Sequence, residues 1–213
     1  RRIYFQSYVD YMNKFGNHNV SGMLLWNIDQ YDNNAPGNLV ASLPRRKMGF
    51  AGRLSYDYDN RYMFEVNAGY NGSENFAKGH KWGFFPSVAV GWNVSQENFF
   101  EPLKDVISNL KLRASYGLVG NDQLLDSSGG LIRFIYMSDI TLQSENAGFT
   151  TGDKQQITLN GPVYTRYQNN DLTWEVGEKL NVGFDMQLFN SLNVTVDAFR
   201  EIRRDIFQQR YSI

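Results

Sequence analysis

Apolar and polar residues alternate with a period of two along most of this chain. The runs last about ten residues or more, where strands of soluble proteins average roughly 5–6. The clearest run extends from Leu172 to Phe189. One face carries Trp174, Val176, Leu180, Val182, Phe184, Met186 and Leu188, and the other Glu175, Lys179, Asn181, Gly183, Asp185 and Gln187. Glu178 is the one charge on the apolar side. A tight turn at Asn190-Ser191 leads into Leu192, Val194, Val196 and Ala198, alternating with Asn193, Thr195 and Asp197, which predicts a hairpin.

The same alternation recurs upstream. Phe50 to Tyr58 and Tyr62 to Asn71 flank a short turn at Asp59-Asn60. Further runs cover Phe84 to Val94 and Leu110 to Leu118, and residues 3–14 and 19–28 pair around Gly16-Asn17. Eight strands are expected. The connections alternate between short and long, which puts the long ones, near 29–46, 72–82 and 120–171, on one side. The segment 95–108 is the exception. Ser95-Gln96-Glu97-Asn98 reads as a capped helix start, so a short helix is expected there.

Composition narrows the choice. The longest apolar runs, such as Met23 to Trp26, fall far short of the roughly 20 residues a membrane-spanning helix needs. Aromatics make up 15% of the chain and bracket the apolar faces, as Tyr62 and Tyr70 or Phe84 and Trp92 do. Hydrocarbon offers the backbone no hydrogen bonds, so strands cross it only in a closed barrel with apolar residues outside and aromatic girdles at the interfaces. The fold class expected is all-β, an antiparallel up-and-down transmembrane β-barrel segment of about eight strands. A soluble carbohydrate-binding β-sandwich also alternates, and detergent dependence separates the two. A passive outer-membrane porin is the second alternative.

Charge and chemistry exclude other classes. There are 21 basic and 22 acidic residues, which gives no basic excess for nucleic acid. Cysteine is absent and only His18 and His80 are present, too few for a clustered zinc site. No nucleophile and base stand together, so no enzyme activity, catalytic residue or cofactor is expected. Glu65, Asp185 and Asp197 are read as partners of Arg53, Lys111, Arg113 or Lys179 in a wet interior. The chain opens Arg1-Arg2-Ile3 and already reads as strand, so it is expected to be part of a longer protein. The outer-side residues Tyr31, Asp32, Asn33, His80, Lys81 and Trp82 are the candidates for substrate contact. Trp82 offers a stacking surface, although Asx-rich turns and a girdle tryptophan account for the same residues.

Three stretches carry a resemblance: GYNGSENFAKGHKWGFFPSVAVGWNVSQENFF from Gly69, SNLKLRASYGLVGND from Ser108 and NDLTWEVGEKLNVGFDMQLFNSLNVTVDAFREIRRD from Asn170. In order and spacing they are similar to the barrel of the SusC/RagA-type TonB-dependent transporters of Bacteroidota. Asn75 stands where members often carry Arg, and Gln123 to Thr165 matches nothing in the family pattern. The resemblance implies a 22-stranded barrel of the outer membrane, a plug and TonB-contacting segment upstream of these residues, and a SusD-like lipoprotein on the outer face. It implies TonB-dependent import of oligosaccharides or peptides, with outer-membrane lipid around the barrel.

Overall fold

In the computed structural model, residues 1–33, 43–125, 130–154 and 157–208 are described. They form two compact units. The first comprises Arg1–Ser73, Trp82–Asp122 and Trp174–Ile213, and the second Glu74–Lys81 and Gln123–Thr173.

The first unit is one antiparallel sheet of eight strands. In sequence they are β1 (Arg2–Phe15), β2 (His18–Tyr31), β3 (Arg45–Tyr58), β4 (Tyr62–Ser73), β5 (Trp82–Asn93) and β6 (Ile107–Asn121). Between β6 and the last pair the second unit contributes β7 (Leu124–Leu125), β8 (Leu131–Ile132), β9 (Asp139–Thr151) and β10 (Ile157–Arg166). The sheet closes its order with β11 (Glu175–Leu188) and β12 (Leu192–Arg204), giving β1-β2-β3-β4-β5-β6-β11-β12. Every neighbour in the sheet is next in sequence apart from the β6 to β11 step, which is the up-and-down order expected. Each strand has 12 to 15 residues, long enough to cross a bilayer at a tilt. No helix among the described residues is long and apolar enough to cross a membrane.

The short connections meet the geometric demand of tight hairpins. Gly16, Asp59 and Asn60 have φ between 53° and 61°, the left-handed region that glycine, aspartate and asparagine enter most readily. The last hairpin differs from expectation. Its left-handed residues are Phe189 and Asn190, one position earlier than the Asn190-Ser191 turn expected. A phenylalanine there needs outside support. The Phe189 N–H donates to the Val106 carbonyl at 3.0 Å and the Asn190 N–H to Ser108 Oγ at 2.9 Å, so the start of β6 holds the turn.

The helix expected over 95–108 forms as two 3₁₀ turns, Val94–Gln96 and Asn98–Leu103. Neither has a side-chain cap: Asn93 and Glu97 stand at the cap positions, while Ser95, the cap expected, lies inside the first turn with its hydroxyl 2.7 Å from the amide oxygens of both Asn93 and Asn109. Pro102 sits inside the second turn and cannot donate to a longer helix. Glu97, between the turns, takes hydrogen bonds from Tyr62 Oη at 2.6 Å and Trp92 Nε1 at 3.1 Å, which fastens the linker to the ends of β4 and β5.

The second unit holds two strand pairs. β9 and β10 form an antiparallel ladder with three register shifts, and β7 pairs with β8. At one shift Gly161 is required, since a Cβ there would lie 2.2 Å from the Ala147 carbonyl oxygen. Arg166 donates to the Met137 carbonyl at 3.2 Å, and Phe76, Leu124, Phe134 and Ile135 are buried. The stretch read as a loop over 120–171 therefore contains paired strands, although residues 126–129 and 155–156 lie outside the described residues. Of the loop expected over 29–46, residues 29–31 and 45–46 belong to β2 and β3, and 34–42 lie outside the described residues.

The hydrogen bonds from Tyr62 and Trp92 hold the Glu97 carboxyl below the usual carboxylate range. A lowered folded pKa stabilises above the ordinary carboxylate pKa and is lost as pH falls through the lowered value. Acidification below about pH 4 is therefore expected to raise amide exchange across residues 94–103 more in the native protein than in Glu97→Gln, measured by hydrogen exchange against pH.

Candidate functional site

The sheet has two chemically opposite faces, and the strand registers show how they are built. Trp26, Phe50, Tyr70 and Phe84 stand on one rung across β2 to β5, while His18, Tyr58, Tyr62 and Trp92 stand on another. Both rungs lie on the apolar face. Their rings interact: Tyr70 stacks on Trp82 at 4.8 Å, Phe5 meets Trp26 edge-on at 5.5 Å, and His18 lies 4.9 Å from Tyr58. Between the rungs run aliphatic residues such as Leu54, Val66 and Val88. Leu54, at 54%, is among the large hydrophobics left exposed. Tyr62 and Tyr70 are eight residues apart, about 27 Å along a strand. At the usual barrel tilt that is about 20 Å of thickness, close to the apolar band of an outer-membrane barrel. An apolar face this large, left bare between two aromatic rows, is a lipid-facing surface.

Glu178 is no defect in this face. It pairs with Arg204 on β12 at 3.0 Å and stands near the start of β11, which begins at Glu175. The charge is neutralised beside the rim of the band, where its cost is lowest.

The opposite face is wet and ionic. Arg113 on β6 donates to Asp197 on β12 at 2.8 Å and to Asp185 on β11 at 3.4 Å. Glu65 accepts from Ser55 at 3.0 Å and Asn67 at 2.8 Å, with Arg53 beside it. Lys179 lies 3.8 Å from Glu201. The sequence reading paired Glu65, Asp185 and Asp197 with cations of this face, as Arg53 and Arg113 show, but did not include Glu201, Ser55 or Asn67. At one-third or more exposure each pair is worth about 0–1 kcal/mol, so the network sets the character of the surface more than its stability. A shallow concavity of about 410 Å³ is lined here by Asn19, Asp57, Glu65, Lys111 and Arg113 among others. No three His, Cys, Asp or Glu side chains converge on a metal position among the described residues.

The expected contact residues divide between the two units. Tyr31 ends β2, pairs in register with Arg2 and Arg45, and is 48% exposed. The Asp32 backbone exchanges hydrogen bonds with Arg1 and its carboxylate accepts from Gln30 at 3.1 Å. Asn33 follows at the edge of the described residues and is itself partnered. Trp82 opens β5 in the apolar aromatic row, close over Gly72. His80 and Lys81 belong to the second unit, where the His80 N–H donates to the Ala77 carbonyl at 3.0 Å.

Sequence reasoning missed two features. Trp174, expected on the apolar face of a strand from Leu172, precedes β11 and is buried with its ring 5.3 Å from Phe85. Asp122 is 6% exposed and takes Lys47 Nζ at 2.6 Å and Ser73 Oγ at 2.8 Å. A long loop gave no signal for either contact, since the partners are distant in sequence.

A sheet with one lipid-facing side, one polar side and 12 to 15-residue antiparallel strands is a wall segment of a membrane-spanning β-barrel. The chain matches the family of TonB-dependent receptor-like β-barrels over residues 2–213, and it belongs to that family, whose members are β-barrels of the outer membrane. TonB-dependent receptor P3 of Formosa agariphila is 29% identical over 96% of this chain and 22% of that protein. TonB-dependent receptor SusC of Bacteroides thetaiotaomicron is 33% identical over 67% of this chain and 13% of that protein. Among solved structures, the RagAB peptide importer in its closed-closed state superposes with a TM-score of 0.71 at 18% identity, covering 96% of this chain and 24% of that one. The chain thus spans less than a quarter of the length of these relatives, which are receptors and transporters by name rather than enzymes.

The two faces should respond oppositely to charge. Val66→Arg, midway between the aromatic rungs, is expected to destabilise the barrel by roughly 2–4 kcal/mol, whereas Ser115→Lys on the polar face should leave stability within about 0.5 kcal/mol. Urea titration of the full-length protein refolded into lipid vesicles measures both.

Proposed function

We propose that the protein carrying this wall imports oligosaccharides or peptides across the outer membrane in a TonB-dependent step, with a SusD-like lipoprotein on its outer side. The observation that carries this reading is the family match over residues 2–213, on a sheet whose polar face suits a hydrated lumen. The likeness to SusC in sequence and to the RagAB peptide importer in fold supports the choice of substrate class. The longest excursion from the sheet, Gln123–Thr173, leaves from the same sheet end as Glu74–Lys81. Loops at such an end vary freely while the wall keeps its register, which suits them to carry specificity. Tyr31, Asp32, Asn33, His80, Lys81 and Trp82 are proposed as contacts there. TonB contact falls to parts of the protein outside these 213 residues.

A passive porin shares the wall chemistry but needs no energy. Uptake of labelled oligosaccharides and peptides should be measured in cells expressing the full-length protein, with and without TonB. Import of one class at a rate that falls at least tenfold without TonB is the expected result. Equal uptake in both backgrounds identifies a porin, and co-purification without any surface lipoprotein removes the proposed partner.

A further inference from the structure

The sheet has one joint that its backbone does not close. β4 and β5 pair from Tyr62↔Trp92 to Gly72↔Trp82, and β6 pairs with β11 out to Asn121↔Glu175. Between them, β5 and β6 pair only from Ser87↔Gly117 to Asn93↔Lys111. Residues 82–86 of β5 and 118–121 of β6 therefore face each other with no register between them. The ladder stops at the residue after Pro86, which has no N–H to donate.

Side chains occupy this joint instead. The Phe85 ring fills the space that a Cβ on Gly120 or Gly83 would need, at 2.0 and 2.4 Å, and packs edge-on against Trp174. Beyond it, Asp122 reaches past β5 to Ser73 on β4 and Lys47 on β3. The Asp122 side chain is 8% exposed and that of Lys47 31%. A carboxylate so buried is costly unless paired, and Lys47 and Ser73 contribute to that pairing. The cluster also stands where the chain leaves the sheet. Ser73 is the last residue before Glu74–Lys81, and Asp122 the last before Gln123–Thr173. Trp82 and Trp174 are the residues on which the chain returns.

We propose that Lys47, Ser73 and Asp122 form a positioning cluster that closes the β5–β6 joint in place of a backbone ladder. It fixes the two exits through which both outer excursions leave the wall. The cluster binds no substrate; it acts by holding strand ends. This inference rests on the barrel-wall fold and not on import, so it can fail while the importer reading stands.

The test is hydrogen exchange on the full-length protein in detergent, comparing the native form with Asp122→Asn and Lys47→Met. The expected result is at least tenfold faster exchange confined to peptides covering 74–86 and 118–125, with 20–30 and 50–58 unchanged and the heat-dependent gel shift of a folded barrel retained. The double variant should add nothing to either single one. Native exchange rates in a folded Asp122→Asn barrel overturn the proposal, and so does an increase spread evenly over the sheet. If Asp122→Asn fails to fold, Ser73→Ala provides the same reading with one hydrogen bond removed, and unchanged local exchange there also overturns it.

Discussion

Every backbone N–H and C=O that crosses hydrocarbon must find its partner within the protein. That requirement stands behind the length of the strands, their antiparallel order and the continuity of their registers. Along β2, β3 and β4 the pairing runs unbroken from His18↔Tyr58 to Tyr31↔Arg45 and from Tyr58↔Tyr62 to Lys47↔Ser73. Once the ladders are in place, side-chain alternation follows without further instruction. Adjacent residues point to opposite faces, so one face meets lipid and the other water. Leu112 and Arg113 sit side by side in sequence and live in these two solvents.

The faces are held by different forces. The apolar face gains its stability from lipid contact and from aromatic rows that mark the two ends of the hydrocarbon. The polar face relies on local pairs such as Arg113 with Asp197, which keep charges satisfied while leaving the surface hydrated. Neither arrangement needs a deep core, and the buried residues of this unit lie towards the strand ends, with Ser73, Asp122 and Trp174 at one end and Val94, Ser95 and Phe100 at the other. At the first of these ends the backbone ladder gives out between β5 and β6, and packing and ion pairing take over its role.

This division separates the scaffold of the wall from the excursions that leave it. Register binds each strand to two neighbours, so a change in one strand is felt across the sheet. The excursions Glu74–Lys81 and Gln123–Thr173 contribute no strand to the eight-stranded sheet. A chain in this position can vary widely without disturbing the strands, provided the exits stay where they are.

Much of the wall was legible in the sequence because its rule is local. A period of two needs only the order of residues, so all eight strands, the three wall hairpins and the presence of Glu65, Asp185 and Asp197 among cations on one face could be read from it. The family signature lay in the same strands. Tertiary structure alone decided the rest. The turn at Phe189 is set by the Val106 carbonyl just before β6, and the helix expected from Ser95 is replaced by two 3₁₀ turns, the first of which takes Ser95 into its interior. The register-shifted hairpin of β9 and β10 follows no strict alternation and read as loop. Lys47, Ser73 and Asp122 are separated by dozens of residues, and no periodicity connects them. Their association exists only because Pro86 ends a ladder and leaves a joint that a buried carboxylate can span.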